Sequence, residues 1–169
     1  KMLCLDARPN AAHKKLAELE AAGRLRSVVT QNIDGLHQKA GSRRVWELHG
    51  SVRRNYCMRC HKPYSAEEIK AGTGAPKCGC GGTVKPDVVL YEEGLDSATI
   101  EGAVADIQAA DLLIIGGTSL AVYPAAGLIN YYRGSRLVLI NKSPTPYDDR
   151  ASLAINLPIG QVLGQIRVQ

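Results

Sequence analysis

Nowhere in the 169 residues does an apolar run approach the length of a membrane span. No secretory signal is visible at the start, and the chain opens on Lys1 rather than Met. Internal repeats and low-complexity tracts are absent, which excludes solenoids and disordered linkers. The Gly-x-Gly-x-x-Gly dinucleotide fingerprint is missing too, so any nucleotide site must be built another way. What remains is 45% hydrophobic and 22% charged, the composition of a globular chain that can bury one core plus a small satellite.

The net charge of +5 is unevenly spread. Residues 1–85 carry 16 Lys/Arg against 7 Asp/Glu, whereas residues 86–169 carry 5 against 9. A cationic half suits an anionic ligand, and equally describes a solvated surface. Four of the five cysteines are paired at metal spacing, which favours a reducing, cytoplasmic setting over a disulfide framework. Cys4 is left over and reads as a small apolar filler.

In chain order, Pro9 to Ala22 reads as an amphipathic helix stopped by Gly23. Ser27 to Val29 is a short buried strand that ends at the polar turn Gln31-Asn32-Ile33-Asp34-Gly35. Asp34 to Lys39 reads as helix and Val45 to Leu48 as a second strand with His49 at its tip. Residues 51–85 change character, becoming basic, cysteine-bearing and rich in Gly and Pro, and form an inserted module. Val84 to Tyr91 returns as an extended segment. Helix over 97–110, strand over 111–115, helix over 124–132, strand over 136–140, a short strand over 153–157 and a last helix from Ile159 follow. Strands alternating with helices predict an α/β fold: a Rossmann-like, mainly parallel sheet from residues 1–50 and 86–169, with a small zinc-binding module at 51–85.

Cys57-x-x-Cys60 and Cys78-x-Cys80 stand 17 residues apart. Two such pairs on tight turns place four sulfurs at the corners of a tetrahedron, which zinc accepts. Four thiolates leave no open position for a reactive water, so the expected zinc is structural, one per chain. His61 beside the knuckle is unneeded as a ligand and reads as a solvent-facing loop residue.

Gln31, Asn32 and Asp34 bring amide and carboxylate groups to the carboxyl edge of a strand, where open α/β sheets bind ligands. The same residues can form an Asx-type turn that caps the following helix. His49 lies beside Gly50, where backbone can approach a ligand, and imidazole suits a base near neutral pH. Gly116-Gly117-Thr118-Ser119 joins a buried strand to a helix, and offers close backbone approach with hydroxyl and N–H donors.

Taken together, Thr30-Gln31-Asn32-Ile33-Asp34-Gly35-Leu36-His37, Glu47-Leu48-His49-Gly50, the four cysteines, Gly117-Thr118-Ser119-Leu120, Tyr123-Pro124-Ala125 and Ile140-Asn141 resemble the sirtuin family of NAD-dependent protein deacylases. The blocks run in the family's order across almost the whole chain. The resemblance implies NAD as co-substrate and an acyl-lysine protein or peptide as partner; no membrane partner is expected, and nucleic acid is disfavoured. His49 would be the general base. Asn32 and Asp34 would line the nicotinamide pocket, and Gln31 would contact the ribose. Gly117, Thr118 and Ser119 would hold the cofactor, with Asn141 at the adenine-side ribose and Ile159 near the adenine. Pro158, which has no N–H, departs from what that last contact uses. Val89 and Tyr91 would wall the acyl-lysine tunnel, between residues 86–93 and 120–123. Glu92 stands where the family usually has Gly.

The family's Gly-Ala-Gly-x-Ser loop and Pro-Asp-Phe-Arg segment do not occur, so the chain resembles the C-terminal two-thirds of such an enzyme, with little NAD binding expected from it alone. Two other readings remain: a zinc ribbon that binds nucleic acid or protein through Arg43, Arg44, Arg53, Arg54 and Tyr56, and a mono-ADP-ribosyltransferase on the same scaffold.

Overall fold

The computed structural model describes residues 5–121, 123 and 125–168; Cys4 and Pro124 lie outside them. Helix α1 (Ala11–Ala21) begins two residues later than the expected start at Pro9, because Asn10 is the cap. The Asn10 side chain accepts from the His13 N–H at 3.2 Å, and His13 Nδ1 accepts from the Asn10 N–H at 3.3 Å. This reciprocal box satisfies two of the donors that a helix start leaves open. β1 (Val28–Thr30) and β2 (Val45–Glu47) pair in parallel, with α2 (Leu36–Ala40) as the crossover. Gly41 ends α2 at φ 110°, a conformation that suits glycine.

β3 (Gly50–Cys57), β4 (Pro63–Ser65) and β5 (Val84–Val88) form an antiparallel sheet in the order β4-β3-β5. A helix that the sequence reading did not anticipate, α3 (Ala66–Ala71), follows β4. Ser65 and Glu68 cap it reciprocally. After α4 (Ser97–Gln108), β6 (Leu113–Gly116), β7 (Leu137–Ile140) and β8 (Leu153–Ile155) make a parallel three-stranded sheet, and α5 (Ile159–Leu163) closes the described chain.

The α/β class with parallel strands therefore holds, but the parallel strands fall into two sheets among the described residues, β1-β2 and β6-β7-β8. They share one core: Leu48, Ala103, Ile107 and Leu128 are buried against Val29, Trp46 and Leu113, so α4 packs on both. A second cluster of Ala12, Ile140 and Leu163 locks α1 and α5 onto the three-stranded sheet. Leu163 alone, 1% exposed, contributes about 1.5–3 kcal/mol of burial. The segment expected to be helical from residue 124 is a 3-10 helix over Ala125–Tyr131. Its buried residues Ala126, Leu128 and Ile129 show a spacing that does not separate 3-10 from α geometry.

A buried carboxylate joins the layers. Asp106 on α4 is 4% exposed and accepts two hydrogen bonds from Arg44 (Nε 2.8 Å, Nη2 2.7 Å) and one from Trp46 Nε1 at 2.7 Å. Burial alone would raise its pKa, yet the hydrogen bonds of Trp46 and Ser27 and the Arg44 guanidinium hold it below the ordinary value. The indole packs so closely on Gly102 that any side chain there would collide with it.

Candidate active site and metal centre

The four cysteines converge. Their ligand atoms all lie within 4.8 Å of one another, and among the described residues no other group of three or more metal-ligating side chains does so. Sγ separations are 3.5 Å for Cys57 and Cys80, 3.6 Å for Cys60 and Cys78, and 3.4 Å for Cys60 and Cys80. Zinc at its usual sulfur distance requires edges of about 3.8 Å, so the cluster fits one ion with a small expansion. Cys57 and Cys78 are buried with Val84, and Tyr64 and Ile69 pack against them. Gly82 sits so near Cys57 Sγ and the Arg59 stem that a Cβ would displace one of them.

Four sulfurs at this spacing cannot all ionise without a cation. The Cys80 N–H and then the Tyr64 hydroxyl draw the Cys78 thiol down to about 6. The Gly82 N–H pulls on Cys80 as well, but the neighbouring sulfurs push its pKa up to about 12. A divalent ion removes that conflict, and the donor set is the one zinc prefers. His61 is exposed, as expected, with φ 57° and its ring stacked 6.4 Å from that of Tyr56.

The polar turn and the imidazole meet directly. His49 Nδ1 lies 3.1 Å from the Gln31 carbonyl oxygen, and Leu48 N–H donates to the Thr30 carbonyl at 2.9 Å. A carbonyl only accepts, so Nδ1 carries the proton and Nε2 of the neutral ring keeps its lone pair. Asp34 Oδ1 accepts from the Leu36 N–H at 2.9 Å in an Asx-type turn, although Gly35 is the cap residue of α2, and Asn32 is exposed. The expected substrate wall joins the same corner: Val89 N–H donates to the His49 carbonyl at 3.1 Å, and Tyr91 is fully exposed. Gly50, at φ 73°, faces the Asp87 carbonyl, and a Cβ there would run into it.

The glycine bend lies at the carboxyl end of β6. Gly117 has φ 66° and donates to the Ile140 carbonyl at 3.1 Å; Thr118 Oγ1 accepts from the Leu120 N–H at 3.2 Å; Ser119 is exposed. Asn141, at the end of β7, donates from Nδ2 to the Ser143 carbonyl at 2.9 Å. Ile159 on α5 packs onto Gly116, which tolerates no side chain for that reason, so Ile159 and the bend adjoin. Gln31, Asn32, Asp34, His49 and Val89 thus form one group, and Gly117, Thr118, Ser119, Asn141 and Ile159 a second. Two surface cavities lie away from both groups and touch neither His49, Asn32 nor Ser119. One, of about 600 Å³, runs along Arg53, Arg54, Tyr56, Tyr64 and Asp87; the other, of about 430 Å³, is lined by Leu5, Asp6, Glu67, Lys70 and Ala71.

Three arginines of the zinc-ribbon reading are engaged internally, the first being Arg44 with Asp106. Arg53 Nε donates to the Asp34 carbonyl at 3.0 Å, and Arg54 pairs with Glu47 and Asp87. Sequence reasoning missed those partners, and Asp106 as well. Among the described residues no helix is long and apolar enough to cross a membrane.

A parallel α/β body carrying a four-cysteine module suited to one zinc ion, with a histidine held at the carboxyl edge of its strands, defines a Rossmann-like α/β protein with a candidate metal module. The Sir2 family model matches residues 1–124, and the chain belongs to that family. It is 61% identical over 165 residues to a Clostridium acetobutylicum protein named NAD-dependent protein deacetylase, covering 96% of this chain and 67% of that one. A Staphylococcus aureus protein of the same name (strain Mu50) is 47% identical over 156 residues, covering 92% and 64%. A structure of Sir2 with a p53 peptide and NAD+ superposes with a TM-score of 0.87 at 42% identity, covering 94% of this chain and 69% of that one. Sir2 bound to an acetylated peptide gives 0.88 at 42% identity, covering 94% and 69%.

Proposed function

We propose that this chain belongs to an NAD-dependent protein-lysine deacetylase that releases nicotinamide and O-acyl-ADP-ribose. The observation that carries the reading is the His49–Gln31 contact, which fixes the imidazole against the polar turn with Nε2 available as a base. NAD is the co-substrate and supplies an anomeric carbon with a leaving group. His49 takes the proton from a ribose hydroxyl as the acyl oxygen bonds to that carbon and nicotinamide departs. Asn32 and Asp34 line the nicotinamide side and Gln31 the ribose. Gly117, Thr118 and Ser119 receive the cofactor, with Asn141 and Ile159 toward the adenosine. Val89 and Tyr91 border the acyl-lysine, whose backbone adds as a strand beside them. Cys57, Cys60, Cys78 and Cys80 hold one structural zinc. Residues 51–85 serve as the zinc module, and 1–50 with 86–169 as the NAD-binding body. Paired metal thiolates suit a reducing, cytoplasmic setting.

The test is His49→Ala in the full-length protein. It should lose acetyl-peptide deacetylation by about a hundredfold or more while keeping one zinc per chain. Normal turnover would end the assignment of His49.

A further inference from the structure

We propose that Arg54 is a positioning residue, which bridges Glu47 and Asp87 and thereby sets the distance between the strand leading to His49 and the segment bearing Val89 and Tyr91. This rests on the deacetylase reading for its consequence, a tighter fit to the acyl-lysine peptide. The contacts are directional. Arg54 Nη1 donates to Glu47 Oε2 at 2.6 Å, and Nε to Asp87 Oδ2 at 2.8 Å. Glu47, the last residue of β2, has a side chain only 8% exposed, and a carboxylate so buried requires a partner. Arg54 is the one ion-pair partner it has among the described residues. A planar guanidinium engages two carboxylates on two of its edges at once, whereas an ammonium on a single stem does not reproduce that fork.

The sheet is weakest at the place the bridge spans. Ser51 pairs with Asp87, but the next paired residue on β3 is Asn55, opposite Pro86, so Val52, Arg53 and Arg54 bulge out of register. Pro86 has no N–H to give the ladder. Beyond it the strands touch the catalytic corner: Gly50 pairs with Val88, and Val89 donates to the His49 carbonyl. His49 has its own anchor on Gln31, so loosening the bridge moves the peptide wall and not the base. Arg54 and Asp87 are 55% and 44% exposed, and pairs as open as that contribute little to stability. The effect of the bridge on its Asp87 side is therefore on geometry.

Three variants of the full-length protein test it. Asp87→Ala cuts the bridge to β5 and leaves Glu47 paired; Arg54→Lys keeps the charge without the fork; Arg54→Met removes both contacts. Each should raise KM for acetyl-lysine peptide by about tenfold, with KM for NAD and zinc content unchanged. Hydrogen exchange at the Val89 amide should quicken in all three. An unchanged peptide KM and Val89 exchange in Asp87→Ala would overturn the bridge, as would wild-type behaviour of Arg54→Lys. A joint rise of both KM values with loss of zinc would reduce it to a folding contact. A parent protein without deacetylation would overturn the deacetylase reading alone, and Val89 exchange would still decide the bridge.

Discussion

The cysteine module and the parallel body hold themselves together by different means. In the module the buried cluster is Cys57, Cys78 and Val84, with only Tyr64 and Ile69 against it. In the body, two clusters draw Leu48, Ala103, Ile107 and Leu128, and Ala12, Ile140 and Leu163, from five elements and the turn after β2. A region that can bury so little apolar surface depends on metal coordination, while the body depends on packing and on one buried ion pair. Cooperativity between the two then rests on the short stretch where they share backbone, Glu47 to Ser51 and Asp87 to Val89.

The largest effect expected on this contrast is metal removal. Chelation should cost the module on the order of 10 kcal/mol of apparent folding free energy. Amides from Cys57 to Val84 should lose protection from exchange while Leu137–Ile140 keep theirs. Simultaneous loss in both regions would show that the body needs the metal as much as the module does.

Next in size is the body's buried carboxylate. Asp106→Ala leaves the Trp46 indole N–H without a partner and frees half-exposed Arg44, which should cost about 2–3 kcal/mol in urea unfolding. Zinc affinity should not change. A fall in zinc affinity of the same proportion would erase the distinction between the two regions.

The smallest effect is one of pH. His37 on α2 is pushed down from 6.5 to about 4, first by burial and then by His13, whose ring lies 4.6 Å away, with Asp34 acting in the opposite sense. Its Nδ1 is buried without a hydrogen-bond partner. The folded state therefore binds fewer protons at this site than the unfolded one. The stability it contributes is complete above the unfolded value of 6.5 and is lost as pH falls through the window down to about 4. Thermal melts across that window should slope more steeply in the parent than in His37→Gln. Equal slopes would remove His37 from the account and leave acid sensitivity to the thiolates.

Strong local signals were legible. The run Leu113 to Ile115 is a strand wherever it is placed, because a short continuous apolar stretch before a glycine bend has few other solutions. Ser65 and Glu68, three apart, carry the capping signal for α3, and a closer reading of that spacing finds the helix. The split of the parallel strands into two sheets was not legible, since neighbours in a sheet are chosen by packing across α4. Nor was the Arg54 bridge: Asp87 is 33 residues from Arg54, and the bulge between Ser51 and Asn55 decides whether they meet. A basic pair in sequence reads as a solvated face until the carboxylates opposite it are known.

By itself the sequence determined the donor set of the metal, the polar turn after β1 and the histidine after β2, because those chemistries are set by residue type and by spacings of a few positions. Tertiary structure alone decided which nitrogen of His49 is tethered, which cation neutralises Glu47 and how Val89 reaches the histidine. Those depend on strand register and on burial. The free energy of a buried charge or a strained turn is a property of what surrounds it, and the surroundings come from distant parts of the chain.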